Sequence, residues 1–178
     1  MSLNFHLVNR IRQQIQTHGD RVAVRFQQAE GWGETSWTEF GKNIDAVSRA
    51  LLVAGLAVQD RIAIFANNSA EWTTTDIGAL QIRCVPVPIY PTNTPAQAAY
   101  IINDANARVL FVGDQAQADS ALSIADTCPS LEKIISFADG VDFGDSHSVV
   151  SGMNSSHQAT PMSIRSFRSD STTKPWMI

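Results

Sequence analysis

Thirty residues from Val85 to Asp114, VPVPIYPTNTPAQAAYIINDANARVLFVGD, place a strand, a helix and a second strand in immediate succession. Val85, Val87 and Ile89 alternate with prolines, and Thr92-Asn93-Thr94-Pro95 reads as a loop entering a capped helix with proline at its first position. That helix runs to about Asn106, with Ala98, Ala99, Ile101, Ile102 and Ala105 recurring at three- and four-residue steps. Arg108 to Val112 follows as a short buried strand closed by Gly113. Parallel neighbours need a crossover of this kind, so the stretch is one βαβ unit. Pro86 and Pro88 have no N–H to give a ladder. The Val85–Ile89 strand is therefore expected either at an edge or paired through its other residues only.

The remaining pattern extends the same rhythm. Leu3 to Gln16 reads as an amphipathic helix with Phe5, Val8, Ile11 and Ile15 near one face, ended at Gly19. Arg21 to Phe26 alternates as a strand, and Thr35 to Trp37 returns beside it after a loop at Glu30-Gly31-Trp32-Gly33. Thr38 is the expected cap of a long helix whose stripe, Ile44, Val47, Leu51 and Leu52, ends at Gly55. Arg61 to Ala66 is nearly all apolar, as a strand covered on both faces must be. Ser69 is positioned to cap a helix through Trp72, Ile77, Leu80 and Ile82, where Glu71 and Asp76 suit the positive end of the dipole. A helix from Gln115 to Asp126 and a strand from Leu131 to Phe137 complete the alternation. The expected fold is α/β, a mainly parallel sheet with right-handed crossovers and helices on its faces. Ile62, Ile64, Val87, Val109, Phe111, Ile134 and Ile135 are its expected interior.

Several function classes drop out. An apolar share of 44% in 178 residues is enough for one domain with a core, and no apolar run approaches the roughly 20 residues of a membrane-spanning helix. A net charge of −4 without a basic stripe argues against nucleic acid as a partner. Cys84 and Cys128 are far apart and His6, His18, His147 and His157 are scattered, so no metal site is expected. Met1 to Arg12 has no apolar segment after a basic start, which makes the cytoplasm the expected compartment.

The stretch PVPIYPTNTPAQAAYIINDANARVLFVGD resembles the N-terminal domain of the AMP-forming, adenylate-forming ligases, in its long-chain fatty acid–CoA ligase branch. Asn67-Asn68-Ser69-Ala70-Glu71-Trp72 and Ser36-Trp37-Thr38-Glu39-Phe40 resemble the same family in order and spacing, and the likeness covers about Phe5 to Ser148. It implies an intact protein that uses ATP, Mg²⁺ and coenzyme A to convert a fatty acid through its acyl-adenylate to acyl-CoA. The family's phosphate loop, Thr-Ser-Gly-Thr-Thr-Gly followed by Pro-Lys-Gly, does not occur in these residues. Ser171-Thr172-Thr173-Lys174-Pro175 is a poor substitute, lacking the glycines that turn backbone N–H groups onto a phosphate. The resemblance therefore implies a part of the ligase, ending before the phosphate loop, with no cofactor, metal or catalytic residue of its own and no activity alone. The alternative is a standalone α/β binding or interaction module derived from the ligase fold.

Other catalytic signatures are also missing: no GxSxG, no GxGxxG after a strand, no HExxH and no Walker lysine loop. Asp104 and Asp114 flank the second strand of the βαβ unit without a nucleophile or base near them, and read as turn and capping residues. Tyr90 is the one candidate for lining a cleft, because ligands in open α/β sheets gather beyond strand C-termini. Apolar faces left open by a partial fold are expected to favour self-association.

Residues 1–150 form the expected ligase subdomain, and residues 151–178 a serine-rich tail without helical or strand period, read as disordered. A single-base slip near Ser151 accounts for the change. Trp and Met have one codon each, so Trp176-Met177-Ile178 is TGG ATG AT plus one base, and reading from the last base of the Trp codon gives GAT GAT, Asp-Asp. Members of the resembled family carry an Asp-Asp-Leu-like stretch just before the phosphate loop. A natural serine-rich linker is the alternative.

Overall fold

The computed structural model describes residues 6–28, 31–144 and 149–150. The tail from Ser151 and the first three residues of the expected N-terminal helix, Leu3 to Phe5, lie outside them. In chain order the elements are α1 (Leu7–His18), β1 (Val22–Gln28), β2 (Gly31–Ser36), α2 (Trp37–Val53), β3 (Arg61–Phe65), α3 (Ala70–Gln81), β4 (Val85–Ile89), α4 (Pro95–Ala105), β5 (Val109–Val112), α5 (Gln115–Ile124), a 3-10 turn (Ala125–Thr127), β6 (Lys133–Ser136) and β7 (Val149–Val150).

The main sheet has the order β4-β3-β5-β6-β7 and every pairing in it is parallel. Its central strands alternate sides residue by residue, and each side finds its own helices. Ala63, Phe65, Leu110, Val112 and Ile134 join Ala98 and Ile102 of α4 and Ala118 and Ala121 of α5. Ile62, Ile64, Val109, Phe111 and Ile135 join Val47 and Leu51 of α2 and Ala79 of α3. Both faces of β3 and β5 are therefore covered within this chain, which explains the nearly unbroken apolar runs in those strands. A third cluster, Phe40, Ile44 and Ile77 with Ile11, Ala23, Val24 and Trp37 around it, ties α1 and the β1–β2 hairpin to α2 and α3.

Among the described residues the proline-bearing strand lies at the edge, as expected, and it pairs through its other residues. Val85 donates its N–H to the Asp60 carbonyl at 2.8 Å, while the carbonyls of Arg61 and Phe65 face the opposite neighbour, accepting from Arg108 and Gly113. By the two-residue period of the ladder, Val85, Val87 and Ile89 address β3, and Pro86 and Pro88 sit where an N–H would point outward. The helix that follows begins as expected: the Thr94 hydroxyl accepts from Gln97 N–H, the Gln97 side chain accepts from Thr94 N–H, and Pro95 opens the first turn. It ends at Asn106 in the left-handed conformation, φ 50°, which asparagine tolerates better than most residues.

Four local expectations change. The cap of α2 is Ser36 rather than Thr38, its hydroxyl accepting from Glu39 N–H at 3.2 Å, because the hairpin strand runs directly into the helix. Trp32 is not in the loop but in β2, opposite Gln27, with its side chain 71% exposed. Val87 is only half-buried, since an edge strand is covered less completely, and Ile89 is the fully buried residue of β4. Asp76 lies mid-way along α3 rather than in its first turn, so it cannot serve the helix N-terminus.

Candidate functional site

The order of strands decides where a ligand crevice can form. From β3 the chain moves outward to β4, then returns past β3 to add β5 and β6 on its other side. The connections that leave the C-terminal ends of β3 and β5 therefore diverge to opposite faces, α3 toward one and α5 toward the other. Such a switch point is where open α/β sheets leave a crevice.

A crevice of about 300 Å³ is found there, lined by Asn67, Ser69, Glu71, Gly113, Asp114, Phe137 and Ala138. Each lining residue follows a parallel strand. After β3, Ala66 is buried, and the Ser69 hydroxyl caps α3 by accepting from Trp72 N–H at 3.1 Å. After β5, Asp114 caps α5: one carboxylate oxygen accepts from Ala116 N–H at 2.9 Å and from Gln117 N–H at 3.3 Å. The Gln117 side-chain amide oxygen accepts from Asp114 N–H at 3.1 Å, closing the reciprocal pair. Gly113 lets the two strand ends approach closely: a Cβ there would lie 3.0 Å from the Ala66 Cβ and 3.1 Å from the Gln117 side-chain oxygen. Phe137, which follows β6 and lines the crevice, stacks on Phe111 with ring centroids 5.7 Å apart.

The chemistry of this lining is limited. It holds two carboxylates, an amide, a hydroxyl and an aromatic ring, and no lysine or arginine. Both helix N-termini are already capped by Ser69 and Asp114. No nucleophile stands beside a base among the lining residues, and among the described residues no group of three His, Cys, Asp or Glu side chains could hold a metal ion. ATP and Mg²⁺ therefore do not fit the residues present: the phosphates would meet carboxylates, and the ion would lack a donor set.

Asp104 and Asp114 are not brought together. Asp104 lies near the end of α4, before β5 begins, and Asp114 lies beyond the end of β5. Four strand residues separate the two ends, roughly 13 Å. Tyr90 stands just past the C-terminal end of β4 with its side chain 78% exposed, and it lines neither this crevice nor a second one on the outer side of α4. Its carbonyl accepts from Asn93 N–H at 2.9 Å, which sets the turn beside that second crevice of about 410 Å³, lined by Asn93, Ala96, Gln97, Tyr100 and Ile101. Sequence reasoning singled out Tyr90 and passed over Asn67, Ser69, Gly113 and Phe137 as lining residues. The signal that finds them is a polar or glycine residue directly after a buried strand, combined with a strand order that sequence alone did not supply.

Residues 11–170 match the family model described as AMP-binding enzyme. The chain belongs to the AMP-binding enzyme family. It is similar to the long-chain-fatty-acid–CoA ligase ACSBG2 of Xenopus laevis, 28% identical over 125 residues, which are 70% of this chain and 17% of that protein. It is also similar to the long-chain-fatty-acid–CoA ligase FadD15 of Mycobacterium bovis, 28% identical over 107 residues, 60% of this chain and 18% of that one. The chain spans less than one fifth of the length of these curated relatives. Among solved structures, the anthranilate CoA ligase AuaEII in complex with anthranoyl-AMP shares the fold with a TM-score of 0.69 and 24% identity, over 76% of this chain and 25% of that one. A benzoate CoA ligase from Burkholderia xenovorans shares it with a TM-score of 0.65 and 19% identity, over 74% and 26%.

Proposed function

We propose that this chain is the N-terminal part of a long-chain fatty acid–CoA ligase and has no ligase activity by itself. The observation that carries the reading is the family match over residues 11–170, joined to relatives named as long-chain-fatty-acid–CoA ligases. In the reaction of such a ligase a fatty carboxylate attacks the α-phosphorus of ATP, pyrophosphate leaves, and the thiol of coenzyme A then displaces AMP from the acyl-adenylate. Fatty acid, ATP with Mg²⁺ and coenzyme A are the substrates and cofactors proposed for the intact protein.

What these residues do in that setting is structural. They build a sheet whose switch-point crevice is walled by Ser69, Gly113, Asp114 and Phe137, with both helix caps internally satisfied. Positive groups able to stabilise pentavalent phosphorus are missing from that crevice, and such groups carry most of the rate enhancement in phosphoryl chemistry. Purified chain incubated with ATP, Mg²⁺, palmitate and coenzyme A should form no acyl-CoA above a no-protein control. Measurable acyl-CoA would overturn the proposal.

A second reading is favoured by one observation, the covering of both faces of β3 and β5 inside this chain. A sheet complete in this sense is able to stand alone as an α/β binding or interaction module. Cooperative urea unfolding of the isolated chain together with saturable binding of a partner protein would favour the module. Folding without any partner would leave the ligase reading in place.

A further inference from the structure

We infer that Pro86 and Pro88 close the free edge of β4 to strand addition by a second copy of this chain. β4 is the last strand on its side of the sheet among the described residues, and Val85 is exposed there. An edge of this kind normally offers alternating outward N–H and C=O groups to any extended chain. Here the inward positions are Val85, Val87 and Ile89, and both outward positions inside the strand are prolines. The outward side of β4 thus presents carbonyl acceptors at 86 and 88 and no donor between them.

The arrangement is most restrictive against the pairing that a symmetric dimer would use. In a two-fold antiparallel pair centred on Val87, Pro86 of one copy faces Pro88 of the other. Each such facing pair exchanges two N–H···O=C bonds in an ordinary ladder. All four donors that this dimer needs are missing, so the pairing would bury carbonyls without partners. The same two prolines leave the inner ladder to β3 intact, because their nitrogens never point toward it. Strand addition to this sheet is accordingly blocked on the β4 side without any loss to the fold.

The double variant Pro86→Val/Pro88→Val restores the four donors and tests the inference. Sedimentation equilibrium of the full chain should show self-association tightened by about tenfold or more relative to wild type, as expected for several recovered hydrogen bonds. Hydrogen exchange at the new amides of residues 86 and 88 should slow with protein concentration. A folded double variant that associates no more tightly than wild type overturns the inference. If the double variant does not fold, the edge is probed through Val87→Cys with both prolines kept. A dimer centred on Val87 brings the two Cα atoms to about 4.5 Å, within disulfide reach, and the native Cys84 and Cys128 are buried. Absence of a residue-87 disulfide dimer under mild oxidation supports the closed edge, and its formation overturns it.

Discussion

Gly78 of α3 lies so close to Val47 of α2 that a Cβ at position 78 would stand 2.8 Å from the Val47 Cβ and 3.2 Å from the Ile44 carbonyl. The approach is held by Ser48, whose hydroxyl donates to the Gly78 carbonyl at 2.8 Å, and by Gln81, whose amide donates to Ser48 at 3.1 Å. Gln81 also donates to Asp45 at 2.9 Å, and Arg12 of α1 donates to both Asp45 and Gln81. Substituting Gly78→Ala must push α2 and α3 apart over a fully buried contact, so a loss of about 1–3 kcal/mol is expected in urea unfolding. An unchanged midpoint would mean that the helices have room to separate.

Arg108 joins the starting ends of three adjacent strands. Its guanidinium donates to both Glu132 carboxylate oxygens at 2.7 and 3.0 Å, to the Gly55 carbonyl at 3.1 Å, and to Asp60. The Asp60 carboxyl is held below the usual carboxylate range, first by the Ala57 N–H that donates to it and, against a cost of burial, by Arg108. A lowered folded-state pKa gives stability that is complete above the unfolded value, about 3.9, and is lost as pH falls through the folded value. Arg108→Met should lose about 1–3 kcal/mol at pH 7. The gap from wild type should narrow as pH falls below the usual carboxylate range and Asp60 takes up its proton. A gap independent of pH would contradict the ion-pair account.

Asp114 is assigned to capping rather than to acid–base chemistry, and the two roles separate by substitution. Asp114→Asn keeps an oxygen acceptor for the N–H groups of Ala116 and Gln117, whereas Asp114→Ala removes it. Unfolding should show Asp114→Ala destabilised by about 1 kcal/mol and Asp114→Asn within a few tenths of wild type. Equal losses in both variants would point to a role for the charge itself.

Asp76 shows the opposite sign from Asp60. Burial pushes its carboxyl pKa up, so the folded chain holds that proton more tightly than the unfolded chain does. Its contribution is most favourable in acid and is lost as pH rises from the unfolded value through the raised folded value. Asp76→Asn should therefore raise the Tm at pH 7 and change it less at pH 3. A lower Tm at pH 7 would show that the carboxylate is needed in its charged form.

The elements were legible in the sequence where period and chemistry agreed. The βαβ unit from Val85 to Val112 is found almost residue for residue, because the Thr94–Gln97 cap, Pro95 and the buried VLFV strand each act locally. The first cap of α2 was displaced to Ser36 because a strand enters that helix without a loop, a tertiary choice that a serine and a threonine two residues apart do not reveal. Val87 and Ile89 looked equivalent in the alternation, and only the position of β4 at the edge makes one half-buried and the other fully buried. The crevice was the least legible part. It depends on β5 returning past β3, and nothing in either strand's residues states which neighbour it will take.

We propose that residues before Ser151 are the N-terminal part of a long-chain fatty acid–CoA ligase, and that a single-base slip near Ser151 produced the serine-rich residues after it. The family match extends to residue 170, so the codons must decide where the ligase frame is kept. The direct measurement is the nucleotide sequence of the locus, read in all frames from codon 151 onward. The expected result is a shifted frame that stays open and carries, shortly downstream of the Asp-Asp codons, those for Thr-Ser-Gly-Thr-Thr-Gly and Pro-Lys-Gly. A shifted frame closed by stop codons before the Thr-Ser-Gly-Thr-Thr-Gly codons would contradict the slip, and unrelated sequence in every frame would contradict the ligase reading itself.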